Sequence, residues 1–193
     1  MDKRRKERFD WQPPSIQDER EFGFFDEEYY KEYKMDNYET PSEIFEEITN
    51  CFGIYPNLDV CATYQNRKCK NFFDKSALSR QWTEDFFMNP PYSQSKKWVK
   101  YAYFQHIKHN VNGLAILPVS TGSTYWHDYI FDKSSIAYYK GRISFEINNI
   151  PQKNPRYDTA FVCWHKHDGK DPKEQMLQAF YRASRGLRAE ILR

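Results

Sequence analysis

The apolar positions of this chain come in short bursts, not long stretches. Asp85-Phe86-Phe87-Met88 has the length and character of an interior strand, and it runs into Asn89-Pro90-Pro91-Tyr92. Adjacent prolines cannot donate to a sheet ladder, so the strand must stop at that corner. Tyr92-Ser93-Gln94-Ser95 then opens a helical pattern carried by Trp98, Val99 and Ala102. Leu114–Val119, Thr159–Trp164 and the shorter Leu58–Thr63 read as further buried strands. Thr40, Pro41 and Glu43 form a capping box, which predicts a helix with Ile44, Phe45, Ile48, Cys51 and Phe52 on its buried face. Tyr125–Phe131 reads as another helix. Ile136–Tyr139 and Ile143–Phe145 flank Lys140-Gly141-Arg142 and predict a strand pair around a basic turn.

Helices alternating with short apolar strands predict an open α/β sheet whose ligands sit at the carboxyl ends of the strands. Asp59, Asn89 and the Ser120-Thr121 turn all fall at such ends. With 193 residues the chain has room for one domain, assigned to 36–167. Residues 1–35, broken by Pro13-Pro14, Gly23 and dense charge, read as a partly disordered extension. Residues 168–193 read as a C-terminal basic helix or tail.

Composition narrows the setting. A mean hydropathy of -0.94 and the lack of a long apolar run argue against a membrane span, and no secretory h-region follows Met1. Cys51, Cys61, Cys69 and Cys163 are irregularly spaced, as suits an intracellular, reducing setting. The formal net charge of +2 conceals an asymmetry. The first fifty residues hold fifteen Asp/Glu against eight Lys/Arg; the remainder holds twelve against twenty-one. A basic body suits a polyanionic partner.

The chemistry concentrates at the corner. The exocyclic amine of adenine or cytosine is a poor nucleophile, because its lone pair is delocalised into the ring. Acceptors placed on its two N–H groups favour the tetrahedral amine that attacks a methyl sulfonium. The Asn89 side-chain oxygen and the Pro90 carbonyl are suited to that role, and Pro90 and Pro91 keep competing N–H donors away. Tyr92 offers a stacking face, worth about 1–3 kcal/mol per base. This is preorganised electrostatics rather than covalent catalysis. Asp59, an acid inside an apolar strand, needs a partner. A cofactor ammonium, a ring of backbone N–H groups or a neighbouring loop to cap would each serve. No Pro-Cys nucleophile, zinc-deaminase signature or GxxxxGK loop occurs, and the Cys163, His165, His167 group lacks a partner pair, so no metal is expected.

With these residues in view, the chain resembles phage-type DNA N6-adenine methyltransferases (Dam-like), a compact branch of the class I AdoMet-dependent enzymes. Tyr38-Glu39-Thr40-Pro41, Leu58–Thr63 with Asn66 and Cys69, Leu78, Trp82, Asn89–Ser93 with Trp98, Leu117-Pro118 with Thr121, Thr124 and Trp126, and Gly141-Arg142 with Phe145 carry the likeness. It implies an open Rossmann-like mixed sheet of the class I methyltransferase type with helices on both faces. It also implies an S-adenosylmethionine site: Tyr38, Thr40 and Pro41 close over the cofactor, Asp59 with the following Cys61, Ala62 and Thr63 holds its methionine part, and Asn89-Pro90 face the methyl group. Asn66, Asn71, Phe73 and Asp74, on the next loop, are suited to meet an adenosine ribose or ring. Cys61-Ala62-Thr63 stand where a glycine-rich loop is usual, and Asp74 substitutes for an acid expected at Ser76. The catalytic set is Asn89, Pro90, Pro91 and Tyr92. Duplex DNA with a flipped base would meet Ser93, Lys96, Lys97, Thr121, Thr124, Trp126, Lys140 and Arg142. The expected setting is the cytoplasm of a bacterial or phage-infected cell. Methylation of cytosine N4, RNA adenine or a protein glutamine, and a silent nucleic-acid-binding module, are the alternatives.

Overall fold

The computed structural model describes residues 36–74, 76–152, 157–167 and the backbone of 189–191. Helix α1 (Ser42–Phe52) begins where the Pro41 carbonyl accepts the amides of Ile44 and Phe45, both at 3.1 Å. It ends at Gly53, whose left-handed φ of 67° lets its amide reach the Thr49 carbonyl at 2.8 Å. The capping box does not form. No side chain caps α1, and the Thr40 hydroxyl bonds the Asn89 side chain instead. An N-cap is typically worth about 1 kcal/mol, so this hydroxyl is diverted from a favourable local use.

Strands β1 (Leu58–Asp59), β2 (Asn71–Phe72), β3 (Phe86–Met88) and β4 (Gly113–Pro118) run parallel, in the order β2-β1-β3-β4. Helix α2 (Ser95–His109) connects β3 to β4 after a short 3-10 turn, Tyr92–Gln94. Helix α3 (Thr124–Tyr129) leads from β4 to β5 (Ser135–Tyr139). A small separate ribbon pairs β6 (Glu146–Ile147) with β7 (Ile150–Pro151). Strand β8 (Thr159–Trp164) is antiparallel to both β4 and β5, and β9 (Ala189–Ile191) closes the far edge against β5. The result is a seven-stranded mixed sheet, β2-β1-β3-β4-β8-β5-β9.

Alternation along the strands divides the core in two. Phe86, Met88, Ala115, Leu117, Ala160 and Val162 face α2 and α3, meeting Val99, Ala102, Tyr125 and Trp126. Phe87, Leu114, Ile116, Phe161 and Cys163 face the other way and meet Ile44, Ile48, Cys51 and Phe52 of α1. Helices therefore cover both faces. Asp85 fastens the base of β3 to β4 by accepting the Asn112 amide and side-chain amide, each at 2.8 Å.

Three sequence expectations need correction here. Ile143 and Phe145 are not a strand paired with β5, because β8 and β9 occupy both of its edges; these side chains enter the core instead. Ala189–Ile191, expected in a C-terminal helix, is a strand. Asn71-Phe72, expected in a loop, is β2, with the Asn71 amide held by both Glu84 carboxylate oxygens at 3.1 Å. The 1–35 extension and the rest of the C-terminal segment lie outside the described residues.

One packing constraint is sharp. A Cβ added to Gly113 would lie 2.9 Å from Phe86 Cε2 and nearer still to Cζ, and Phe86 is itself locked against Trp82 at 4.9 Å between ring centroids. Gly113→Ala is therefore expected to destabilise the fold by about 1–3 kcal/mol, as overpacked cores do. Chemical denaturation of the two proteins measures the difference.

Candidate active site

Chain order sets the position of the site. From β1 the chain moves to β2 on one side, whereas β3 lies on the other side of β1. The gap beyond the carboxyl ends of β1 and β3 is thus a topological switch point, where open α/β sheets bind ligands. Asp59 ends β1 and Asn89 follows β3. Both line a single open cleft of about 240 Å³, together with Tyr38, Glu39, Thr40, Cys61, Asn66, Lys68 and Phe87.

Asp59 is buried, at 3% exposure. Its Oδ1 accepts the Cys61 amide at 3.2 Å and its Oδ2 the Lys68 amide at 3.0 Å. The backbone N–H partners allowed by the sequence are therefore present, and they wrap the loop after β1 around the carboxylate. Asn66 completes that loop, its Oδ1 accepting the Thr63 amide at 2.7 Å and hydroxyl at 3.1 Å. Burial outweighs these bonds, and the Asp59 pKa is pushed up to about 6.

Asn89 is set by a segment fifty residues earlier. Its Nδ2 donates to Thr40 Oγ1 at 3.2 Å and to the Tyr38 carbonyl at 3.4 Å. Its Oδ1 is buried and has no partner. Pro90 is buried behind it, and Pro91 turns the chain into α2. The segment around Tyr38 is fastened elsewhere too. Asp36 accepts the Ser93 amide at 3.1 Å and hydroxyl at 2.5 Å, and Glu39 pairs backbone to backbone with Glu146 at 2.8 and 3.0 Å. The Tyr38 ring stacks on Phe145 at 5.5 Å.

Tyr92 is half-buried, with its ring edge-on to Phe145 at 6.1 Å and Tyr157 at 5.9 Å. Its hydroxyl is buried without a partner, and desolvation drives the phenol pKa far upward, so it remains a neutral donor.

Not every candidate reaches the cleft. Ala62 is buried, while Thr63 and Asp74 are exposed; none of the three is among the lining residues. Lys96, Lys97, Thr121, Thr124, Lys140 and Arg142 are exposed, and Arg142 Nε lies 3.6 Å from Asp158. Trp126 is a correction: it is fully buried, because it lies on the inward face of α3 against β4 and β8, and it cannot line a groove. Sequence reasoning missed Glu39, Lys68 and Phe87. Lys68 had no local signal, since its link to Asp59 runs through the main chain. His165, weighed as a metal ligand, bonds Ser135 Oγ at 2.8 Å.

A family model for DNA N-6-adenine-methyltransferases (Dam) matches residues 28–166, a span that includes every residue of the cleft. This chain belongs to that family. The methyltransferase is 36% identical over 124 residues, 62% of its length, to a protein of Haemophilus phage HP1 (strain HP1c1) named DNA N-6-adenine-methyltransferase, of which 70% is covered. No solved structure matches it. Among the amines that the corner alone left open, the family is that of adenine N6 in DNA. No helix among the described residues of the methyltransferase is long and apolar enough to cross a membrane.

The raised Asp59 pKa has a definite sign in stability. Between about pH 4 and 6 the folded state retains a proton that the unfolded chain has released. The contribution is fully present below pH 3.8 and lost as pH rises through about 6. The difference in unfolding free energy between wild type and Asp59→Asn should fall by up to about 3 kcal/mol across that window. Denaturation series at pH 4, 5, 6 and 7 test it; a constant difference would contradict a proton bound at Asp59.

Proposed function

We propose that the cleft between Asp59 and Asn89 is the S-adenosylmethionine site of this enzyme, and that the Asn89 corner receives the N6 amine of an adenine flipped out of duplex DNA. The observation that carries this reading is that Asn89, whose buried Oδ1 has no partner, lines the same cleft as Asp59. A buried acceptor without a partner costs about 1–3 kcal/mol unless a ligand meets it.

The residues fit the cofactor. An acid near the end of β1 suits an ammonium, and Tyr38, Thr40, Cys61 and Asn66 line the same cleft around it. When bound, the cofactor supplies a methyl group on a positively charged sulfur. The order of β2-β1-β3-β4 with antiparallel β8 beside β5 supports a Rossmann-like sheet of the class I methyltransferase type.

The protein's part in transfer is positional. Asn89 Oδ1 and the Pro90 carbonyl accept the two amine hydrogens and draw the lone pair out of the purine ring. Pro90 and Pro91 present no N–H that would oppose them. The amine's surplus proton passes to solvent after transfer, so no covalent enzyme intermediate is needed. Tyr92 supplies an aromatic wall. Ser93, Lys96, Lys97, Thr121, Thr124, Lys140 and Arg142 meet DNA around that wall, the cations at phosphates.

Incubation with methyl-labelled cofactor and duplex DNA, followed by nucleoside mass spectrometry, should place the label in N6-methyladenine. Asn89→Ala should lower kcat by about 10²–10³, as loss of one preorganised electrostatic partner does, with cofactor affinity kept within about threefold. Asp59→Ala should chiefly weaken the cofactor. Full turnover in Asn89→Ala would remove the assignment.

A further inference from the structure

We propose that Thr40 is a positioning residue: its hydroxyl fixes which end of the Asn89 amide faces the substrate. The inference rests on the reading of Asn89 Oδ1 as the amine's acceptor, and extends it to Thr40, which lines the same cleft and acts on transfer through Asn89.

An asparagine amide is nearly symmetric in shape, so hydrogen-bond partners decide which end points where. With oxygen toward the cleft, Asn89 can accept from the N6 amine. With nitrogen toward the cleft, it would set donor against donor and oppose the attack. Here Nδ2 has two acceptors, Thr40 Oγ1 at 3.2 Å and the Tyr38 carbonyl at 3.4 Å. A carbonyl can only accept. Reversing the amide would press Oδ1 against the Tyr38 carbonyl and leave Nδ2 without that partner. The donor end is thus saturated and the acceptor end held free, as the unpartnered Oδ1 shows.

Two further features point to Thr40. The residue is 4% exposed, so its hydroxyl is shielded from water that would compete for the amide. The hydroxyl also sits one residue before the N-cap of α1, beside a helix with no side-chain cap, yet bonds Asn89 rather than the helix. The segment that delivers it is tied down at two points just before Thr40, by Asp36 to Ser93 and by Glu39 to Glu146. Thr40 Oγ1 is therefore presented at a fixed point, not on a free loop.

This geometry asks for an amide rather than a carboxylate at position 89. An aspartate is the stronger acceptor in isolation, but one of its oxygens would face the Tyr38 carbonyl with no hydrogen between them.

Single-turnover methyl transfer and equilibrium binding of S-adenosylhomocysteine are measured side by side for wild type, Thr40→Val, Thr40→Ser, Asn89→Asp and Asn89→Ala, with thermal melts as a folding control. Thr40→Val is expected to slow transfer about tenfold, the loss of one hydrogen bond, with S-adenosylhomocysteine affinity changed less than threefold. Thr40→Ser should recover most of the rate, and Asn89→Asp should be slower than wild type. In an Asn89→Ala background, Thr40→Val should cause little further loss. Weakened S-adenosylhomocysteine binding with an intact transfer rate in Thr40→Val would make Thr40 a cofactor ligand and overturn the proposal. Full additivity of the two losses would do the same while leaving Asn89 as the acceptor. Wild-type transfer in Asn89→Ala would remove the reading of Asn89 itself.

Discussion

The Asn89 amide joins two parts of the chain that lie far apart in sequence. One is the carboxyl end of β3, fixed in depth by Phe86, Phe87 and Met88, all buried. The other is the segment around Tyr38 and Thr40, which belongs to neither α1 nor the sheet. The amide's two donated bonds set the position of that segment over the switch point, and the segment in return sets the orientation of the amide. The cleft, its lining and the free oxygen all follow from this reciprocal constraint. It also explains why two prolines suit the site. Pro90 and Pro91 hold the backbone at fixed φ, so the side chain of Asn89 leaves a rigid corner.

The second constraint is electrostatic and works in the opposite sense. Asp59 is held where its charge is costly, and its two backbone bonds do not cancel the cost of burial. A stability-optimised fold would place an apolar residue or a neutral acceptor there. The carboxylate nevertheless organises the loop through Lys68 by accepting main-chain amides, so the strain is local and the loop is ordered around it. A cationic ligand in the cleft would relieve this strain, lowering the pKa of the acid as it binds.

Much of this architecture is written in contiguous residues, and those parts were legible. The strand–corner–helix unit from Phe86 to Ala102, the buried β4 and the buried β8 each carry their signal within a few positions. Asp59 and Asn89 were recognisable as an acid and an amide at strand ends, and they meet in one cleft. What escaped was decided by distant partners. β5 could not be assigned its neighbours, because β8 and β9 enter the sheet from later in the chain. β2 is two residues long and held by edge pairing, too short for a periodicity to develop. Trp126 was taken for a surface residue, because one short helix gives little phase information about which side faces the sheet. Thr40 had a sound local prediction as a cap, and a long-range bond overrode it.

The distribution of unsatisfied groups follows from the same logic. Folded proteins rarely leave buried polar atoms without a partner. Among the described residues, those that are left so are Asn89 Oδ1, Tyr92 Oη, His109 Nε2, Trp126 Nε1 and Thr159 Oγ1. Asn89 and Tyr92 follow β3, Trp126 lies in the helix that leaves β4, and Thr159 opens β8 opposite Pro118, the last residue of β4. These four belong to segments at the carboxyl edge of the parallel strands, whereas His109 ends α2 at the opposite edge, just before β4 begins. At that opposite edge Asp85, Asn112 and Lys166 form a closed set of bonds. Of the five, Asn89 is the one that lines the cleft, beside an acid whose burial is uncompensated, and there a polar ligand would bring the missing partner.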